Sequence, residues 1–450
     1  MAKAHHDSSR AASPISRREL LRYGAALAGA GVACTSDRDG DDGNAPLKFL
    51  QFYAPGGEVA AQEQWFIDMV AEWNASGRRQ IELEYVPALE YMNGIKLAVS
   101  FASGQAPDLF LLSPGDFLRY YNGGALADLT PYISSEARED FPASVVASRM
   151  VDGRLFAVPI EVEPMAIVYS IEAFEEAGLD DRDVPKTWDE LIEIAGKLTS
   201  SKRFGVLFET IPGYYQNFTW YPFMWQGGGE IQAPDGTSAF ESDATIQALR
   251  FWQDVVAKGV APRQALGRGA ADAPANLASG YCAMQNIGVW SVAQMAAAAP
   301  DFPYGVFRLP VPEGGKYVTV GGGWAFVANA RSHNRDEAAS FIAWALASMT
   351  DDSVGRLAHW CTVAKTNMPP RRSVLEAAHQ AYDVGKMRTF SRDIYPGTRG
   401  EPRLPPAAYK IISDAIQATQ LGGADPAAVA ESASRQLDAF FAGYSGAPIL

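Results

Sequence analysis

The sequence predicts an α/β protein of two lobes, the first of them doubly wound, and three observations carry that reading. A chain of 450 residues exceeds what one ordinary hydrophobic core holds, so two lobes are expected. Beyond residue 45, short apolar strands alternate with amphipathic helices, the order of a doubly wound lobe. Within residues 101–126, four apolar residues, Leu109-Phe110-Leu111-Leu112, lie between Gly104-Gln105-Ala106-Pro107 and Ser113-Pro114-Gly115-Asp116. A short apolar run between turn signals reads as a buried parallel strand, and the loop at its carboxyl end is where open α/β sheets hold ligands. Ser113 and Asp116 are therefore the first candidate ligand contacts.

The first 34 residues read as an address. Ser16-Arg17-Arg18-Glu19-Leu20-Leu21 is a twin-arginine export pattern, followed by an Ala- and Gly-rich apolar segment over 23–33. Gly31-Val32-Ala33-Cys34 resembles a lipoprotein cleavage box, with Cys34 as the lipidated residue and 35–45 as a polar tether. A lipid there anchors a protein to a membrane without a spanning helix, and no apolar run approaches the roughly 20 residues that spanning needs. Removal of residues 1–34 moves the formal charge from −14 to −17. So acidic a surface argues against nucleic acid and against anionic headgroups as partners. Cys282 and Cys361 remain, 79 positions apart; two buried free thiols are expected, with a disulfide left open.

The elements follow in order. Residues 47–53 read as the first strand, and 59–75 as a helix with Trp65, Phe66, Met69, Val70 and Trp73 at helical spacing. Residues 81–86 alternate as a second strand, 91–102 form a helix, and 109–112 the third strand. The stretch 155–169, two extended segments around Pro159, Glu161, Glu163 and Pro164, reads as a passage into the second lobe. Thr187 with Glu190 is a capping box opening a helix. Then come a strand at 204–208, an aromatic cluster from Tyr214 to Trp225, and a helix over 243–258. A strand at 280–285 leads into a loop, Asn286-Ile287-Gly288-Val289-Trp290. Residues 304–312 read as the return passage, 321–327 as loop and strand, 336–347 as a helix, and the rest as mainly helical. The expected lobes are 46–158 with 311–348, and 159–310 with 349–450.

With these elements placed, the chain resembles the extracellular solute-binding proteins, family 1, of ABC importers, and its sugar-binding members most. The motifs are Gly104-Gln105-Ala106-Pro107-Asp108-Leu109, Gly124-Ala125-Leu126-Ala127-Asp128-Leu129, Pro159-Ile160-Glu161-Val162-Glu163 and Pro185-Lys186-Thr187-Trp188-Asp189-Glu190-Leu191. Ser279-Gly280-Tyr281-Cys282-Ala283-Met284, Gly288-Val289-Trp290 and Gly321-Gly322-Gly323 follow in the same order. The resemblance spans residues 46–445. It implies the type II periplasmic-binding-protein fold, a ligand cleft between the lobes, and hinge segments near 158–161, 309–312 and after 347. It implies a carbohydrate ligand, permease subunits with an ATPase as partners, a monomer anchored to the membrane by lipid, no cofactor and no nucleic acid.

A sugar needs polar groups for its hydroxyls and aromatic faces for its C–H patches. The resemblance implies Trp290 as a stacking ring, Glu163 as a hydroxyl-binding carboxylate with Glu161 beside it, and Glu58 and Arg399 as further contacts. The aromatic cluster offers Trp220, Tyr221 and Trp225 as a second stacking surface. Gly322 and Gly323 allow close approach of backbone N–H groups, and Asn286 can read a hydroxyl. Two other readings stay open. A glycerophosphodiester would need an anion site, which the 321–323 loop with Arg399 could supply. A glycosidase would need two carboxylates flanking a bond, whereas Glu161 and Glu163, two apart on one strand, face the same way. Tyr214-Tyr215 resembles an iron-binding tyrosine pair but lacks its partners. His333, His359 and His379 show no metal spacing, and no metal site is expected.

Overall fold

A computed structural model describes residues 45–92 and 94–450. The expected export signal, Cys34 and all of the tether but Ala45 lie outside the described residues.

Two sheets organise two lobes. In the first, β1 (Leu47–Gln51), β2 (Ile81–Tyr85) and β3 (Leu109–Leu112) run parallel with β1 in the middle. A small hairpin of β4 (Met150–Val151) and β5 (Arg154–Leu155) precedes β6 (Val158–Pro159). Then follow β7 (Glu163–Ser170), β8 (Phe204–Leu207), β9 (Cys282–Gly288), β10 (Tyr304–Phe307), β11 (Thr319–Gly322), β12 (Ala325–Ala328) and β13 (Thr398–Gly400). The first sheet is ordered β2-β1-β3-β12-β6, and the second β13-β11-β7-β9-β8, with β10 beside the far end of β7. All four residues of β3 are buried, as its unbroken apolar run requires of an inner strand.

Each lobe has its own core. In the first, the helix Ala60–Ala75 buries Trp65, Phe66, Met69, Val70 and Trp73. Phe49 meets Phe326 edge to face at 4.8 Å between ring centroids, a favourable aromatic geometry. In the second, the helix Tyr214–Gln226 buries every residue from Gln216 onward, its aromatic side chains packed in the core and its polar ones, Gln216, Asn217, Thr219 and Gln226, hydrogen-bonded. Trp188 stacks on Phe251 at 4.7 Å, positioned by the Thr187–Glu190 capping box, which forms as the sequence requires. Cys361 belongs to the first core and Cys282 to the second; both are free and buried.

The passages between lobes depart from expectation. The first lies at 160–163, between β6 and β7, against an expected 158–161. The return is not at 309–312 but at Gly323, because β10 and β11 both pair along β7 and keep the chain in the second sheet until Gly322. Gly323 has φ +113°, and a Cβ there would stand 2.6 Å from the Glu161 carbonyl oxygen, so only glycine lets the two passages run this close. The third passage does not follow the helix over 336–347. Leu357, Trp360, Cys361, Ala364 and Val374 still pack in the first core, and a bridge of Val162 to Met368 brings that segment against the first passage. Trp360 of this segment packs against Tyr53, Trp65 and Phe66 of the first lobe.

Candidate functional site

The carboxyl-end loops of the strands build one cavity of about 130 Å³ where the passages meet. The loop after β1 contributes Phe52, Tyr53 and Glu58, and the loop after β3 contributes Ser113. The loop after β9 contributes Trp290, and the start of the helix Tyr214–Gln226 supplies Tyr214, Tyr215 and Phe218. This is the ligand position that open α/β sheets favour. Trp290 donates its indole N–H to the Ala271 carbonyl at 3.2 Å, and its ring lies 6.3 Å from that of Tyr215. Gly288 makes the Trp290 position possible, since a methyl at Gly288 would run into the indole. On the first lobe's side, Phe52 and Trp324 meet edge to face at 4.9 Å.

A buried charge cluster forms the floor. Lys365 Nζ lies 2.8 Å from Glu161 Oε1, 2.6 Å from Glu163 Oε1 and 2.8 Å from the Tyr53 hydroxyl. Glu161 also accepts from the indole of Trp360 at 2.6 Å, from Asn367 Nδ2 at 2.7 Å and from the Trp324 backbone N–H at 3.2 Å. Burial works against the Lys365 charge, yet Glu161 and Glu163 hold its ammonium well above the ordinary range. Burial pushes Glu163 up, against the pull of Lys365. Glu161 thus staples three passages together: its own, that of Trp324 and that of Lys365 and Asn367.

Glu401 completes the wall. It is 4 % exposed, and burial pushes its carboxyl up to about 8, Arg149 opposing and Glu163 adding to the rise. The unfolded chain releases this proton near 4.5, so between those pH values the native state holds more protons and stability falls as pH rises. Urea unfolding from pH 5 to pH 8 is expected to show this loss. In Glu401→Gln the slope is expected to be shallower by about 1.4 kcal/mol per pH unit.

The mouth is bridged. Glu58 of the first lobe forms an ion pair with Arg268 of the second and accepts from Gln294 Nε2 at 3.2 Å. Arg268 also reaches Asp272, at 3.5 Å.

Of the residues expected from sequence, Glu58, Ser113, Glu163, Trp290 and Gly323 line the cavity. The others are corrected by their surroundings. Glu161 is 0 % exposed and spends both oxygens at the hinge. Asp116 turns to Arg119, 2.6 Å away, because the single turn Pro114–Asp116 aims it along the following helix. Trp220 is 0 % exposed against Phe240, and Tyr221 stacks on Trp225 at 5.6 Å, all within the second core. Asn286 belongs to β9 rather than to a loop, and donates to the Thr219 carbonyl at 3.2 Å. Arg399 pairs with Glu230 at 2.7 Å and covers Trp225. Gly322 lies in β11, faced by Phe218 and Glu401, and supplies space rather than a contact. Sequence reasoning missed Phe52, Tyr53, Trp324, Arg268, Lys365 and Glu401. Trp324 had a signal, directly after a glycine triplet; Lys365 is an isolated charge, and Glu401 lies in no motif, between Arg399 and Arg403.

The family model for bacterial extracellular solute-binding proteins matches residues 56–350. A lipoprotein of Streptomyces antibioticus is 27% identical over 288 residues, 62% of either chain. Among solved structures, a solute-binding protein of Thermotoga lettingae bound with α-D-tagatose is 22% identical with a TM-score of 0.75, over 88% of this chain and 99% of that one. UgpB of Mycobacterium tuberculosis, in complex with glycerophosphocholine, is 20% identical with a TM-score of 0.71, over 88% and 98%.

Proposed function

The chain belongs to the bacterial extracellular solute-binding proteins, and on that premise we propose that it captures a carbohydrate and delivers it to the permease of an ABC importer. The observation that carries this is the makeup of the cavity. Aromatic rings (Phe52, Phe218, Trp290, Trp324) stand among hydroxyl and carboxyl groups (Tyr53, Ser113, Glu163, Glu401), the mixture that a ring with apolar faces and a polar edge requires. The mature protein leaves by the twin-arginine route, is held to the membrane by lipid on Cys34, and works as a monomer with permease subunits and an ATPase. The sugar is bound and released unchanged.

The glycerophosphodiester reading has less support. Of the 321–323 loop and Arg399 that it invoked, Arg399 pairs with Glu230, and the two cations of the cavity wall, Arg268 and Lys365, are each paired with carboxylates. Calorimetric titration of the purified protein with monosaccharides, maltose and trehalose, against glycerophosphocholine, tests the choice. Saturable binding of at least one sugar is expected; tight binding of the phosphodiester with no sugar response overturns it.

A further inference from the structure

The sheet register sets two carboxyls on either side of a glycine. Glu163 of β7 pairs with Gly322 of β11, and Gly321 of β11 pairs with Gly400 of β13. Glu401 follows directly and donates its backbone N–H to the Gly321 carbonyl at 3.0 Å. Glu163, Gly322 and Glu401 therefore lie in line across three neighbouring strand paths, the outer two about 10 Å apart at the backbone. Both glutamates line the cavity. A Cβ at Gly322 would stand 2.8 Å from Glu401 Oε2 and 2.7 Å from the Phe218 ring, and one at Gly115 would overlap Glu401 Oε1. Two glycines thus keep open the space that the Glu401 carboxyl occupies.

The charges around this space do not balance. The cavity and its backing carry Glu58, Glu161, Glu163 and Glu401. Against them stand Arg268, Lys365 and, behind Glu401, Arg149. Arg149 directs its N–H groups to the carbonyls of Val145 at 2.6 Å and Gly323 at 2.7 Å rather than to a carboxylate. At least one carboxylate is left over, and Glu401 is the one with no basic side chain in salt-bridge contact among the described residues. Asp116, the other carboxylate felt at Glu401, is already paired with Arg119. On the same wall, the buried Ser113 hydroxyl faces the Tyr214 hydroxyl. An unmatched buried carboxyl takes up either a proton or a cation.

We propose that the cleft selects a saccharide bearing a protonated amine, whose ammonium group is held by Glu401, with Glu163 across the Gly322 gap. This rests on the carbohydrate reading and narrows it. A hydroxyl in the same place leaves the proton on Glu401, whereas an ammonium displaces it. Selectivity for the amine and release of a proton are therefore one event.

The test is calorimetry on the purified protein at about pH 6.5, where a sugar amine is protonated, in two buffers of different ionisation heat. The probes are glucosamine and its β-1,4-linked dimer, set against glucose, N-acetylglucosamine and cellobiose. The amines are expected to bind at least about tenfold tighter than their counterparts, the scale of one charge-assisted hydrogen bond, with release of most of one proton. In Glu401→Gln, the preference is expected to fall to about twofold or less and the proton release to vanish. Neutral sugars binding as well as the amines, or binding of the amines without proton release, overturns the amine selection and leaves the carbohydrate reading standing. Binding of none of these probes overturns the amine selection, and the titration with maltose and trehalose then decides the carbohydrate reading. The wild-type comparison decides by itself should the variant fail to fold.

Discussion

Lys365→Met is expected to cost the fold about 3–5 kcal/mol, because it leaves Glu161 buried without its cation. Few substitutions in this chain should cost more. Glu161 is 0 % exposed and Lys365 nearly so, and the ammonium is shared by Glu161, Glu163 and the Tyr53 hydroxyl. The remaining donors to Glu161, from Trp360, Asn367 and Trp324, supply hydrogen bonds but no compensating charge. Urea unfolding of the single variants and of Lys365→Met with Glu161→Gln checks the coupling. The double variant is expected to be more stable than the sum of the two losses implies, since it removes the orphan at Glu161, though Glu163 still loses its cation. Additive losses would show that the two groups do not act as a pair. Because the same cluster ties together three passages between lobes, the single variant is also expected to weaken ligand binding.

Trp290→Ala is expected to weaken carbohydrate binding by roughly 30- to 100-fold, the effect of removing a central aromatic anchor. The indole lines the cavity, is fixed by its N–H bond to Ala271, and fills the space that Gly288 leaves. It also belongs to the second core, so a loss of stability accompanies the loss of affinity. Trp290→Phe separates the two effects, because it keeps an aromatic face and loses the N–H. It is expected to recover most of the affinity, measured by titration with whichever sugar binds the wild type. Unchanged affinity in Trp290→Ala would reduce the residue to a packing role.

Three charge readings fail for a shared reason. The strand-end loop points to Asp116 and the resemblance to Glu161 and Arg399, but each meets a partner from elsewhere in the chain or from the next turn. Lys365 neutralises Glu161 across 204 positions, and Glu230 takes Arg399 across 169. A carboxylate satisfied in this way has no lone pair to offer a ligand. Trp220, Tyr221 and Trp225 fail differently. Aromatic density in sequence marks burial as readily as it marks a stacking surface, and only Tyr214, Tyr215 and Phe218 at the start of this helix reach the cavity.

Local chemistry decided the rest. The apolar run of β3, the periodic aromatic residues of Ala60–Ala75 and the Thr187 capping box fix their elements through contacts within a few residues, so the sequence alone determined them and the α/β order they follow. The loops at the carboxyl ends of β1, β3 and β9 carry Glu58, Ser113 and Trp290 to the cavity by the same short-range logic. Which passages lie side by side, and which carboxyl keeps a free oxygen, depended on pairings of β7 with β11 and of Val162 with Met368. Those are long-range hydrogen bonds that no local pattern encodes. Only the tertiary structure therefore decided that Glu161 holds the hinge while Glu163 and Glu401 face the cleft.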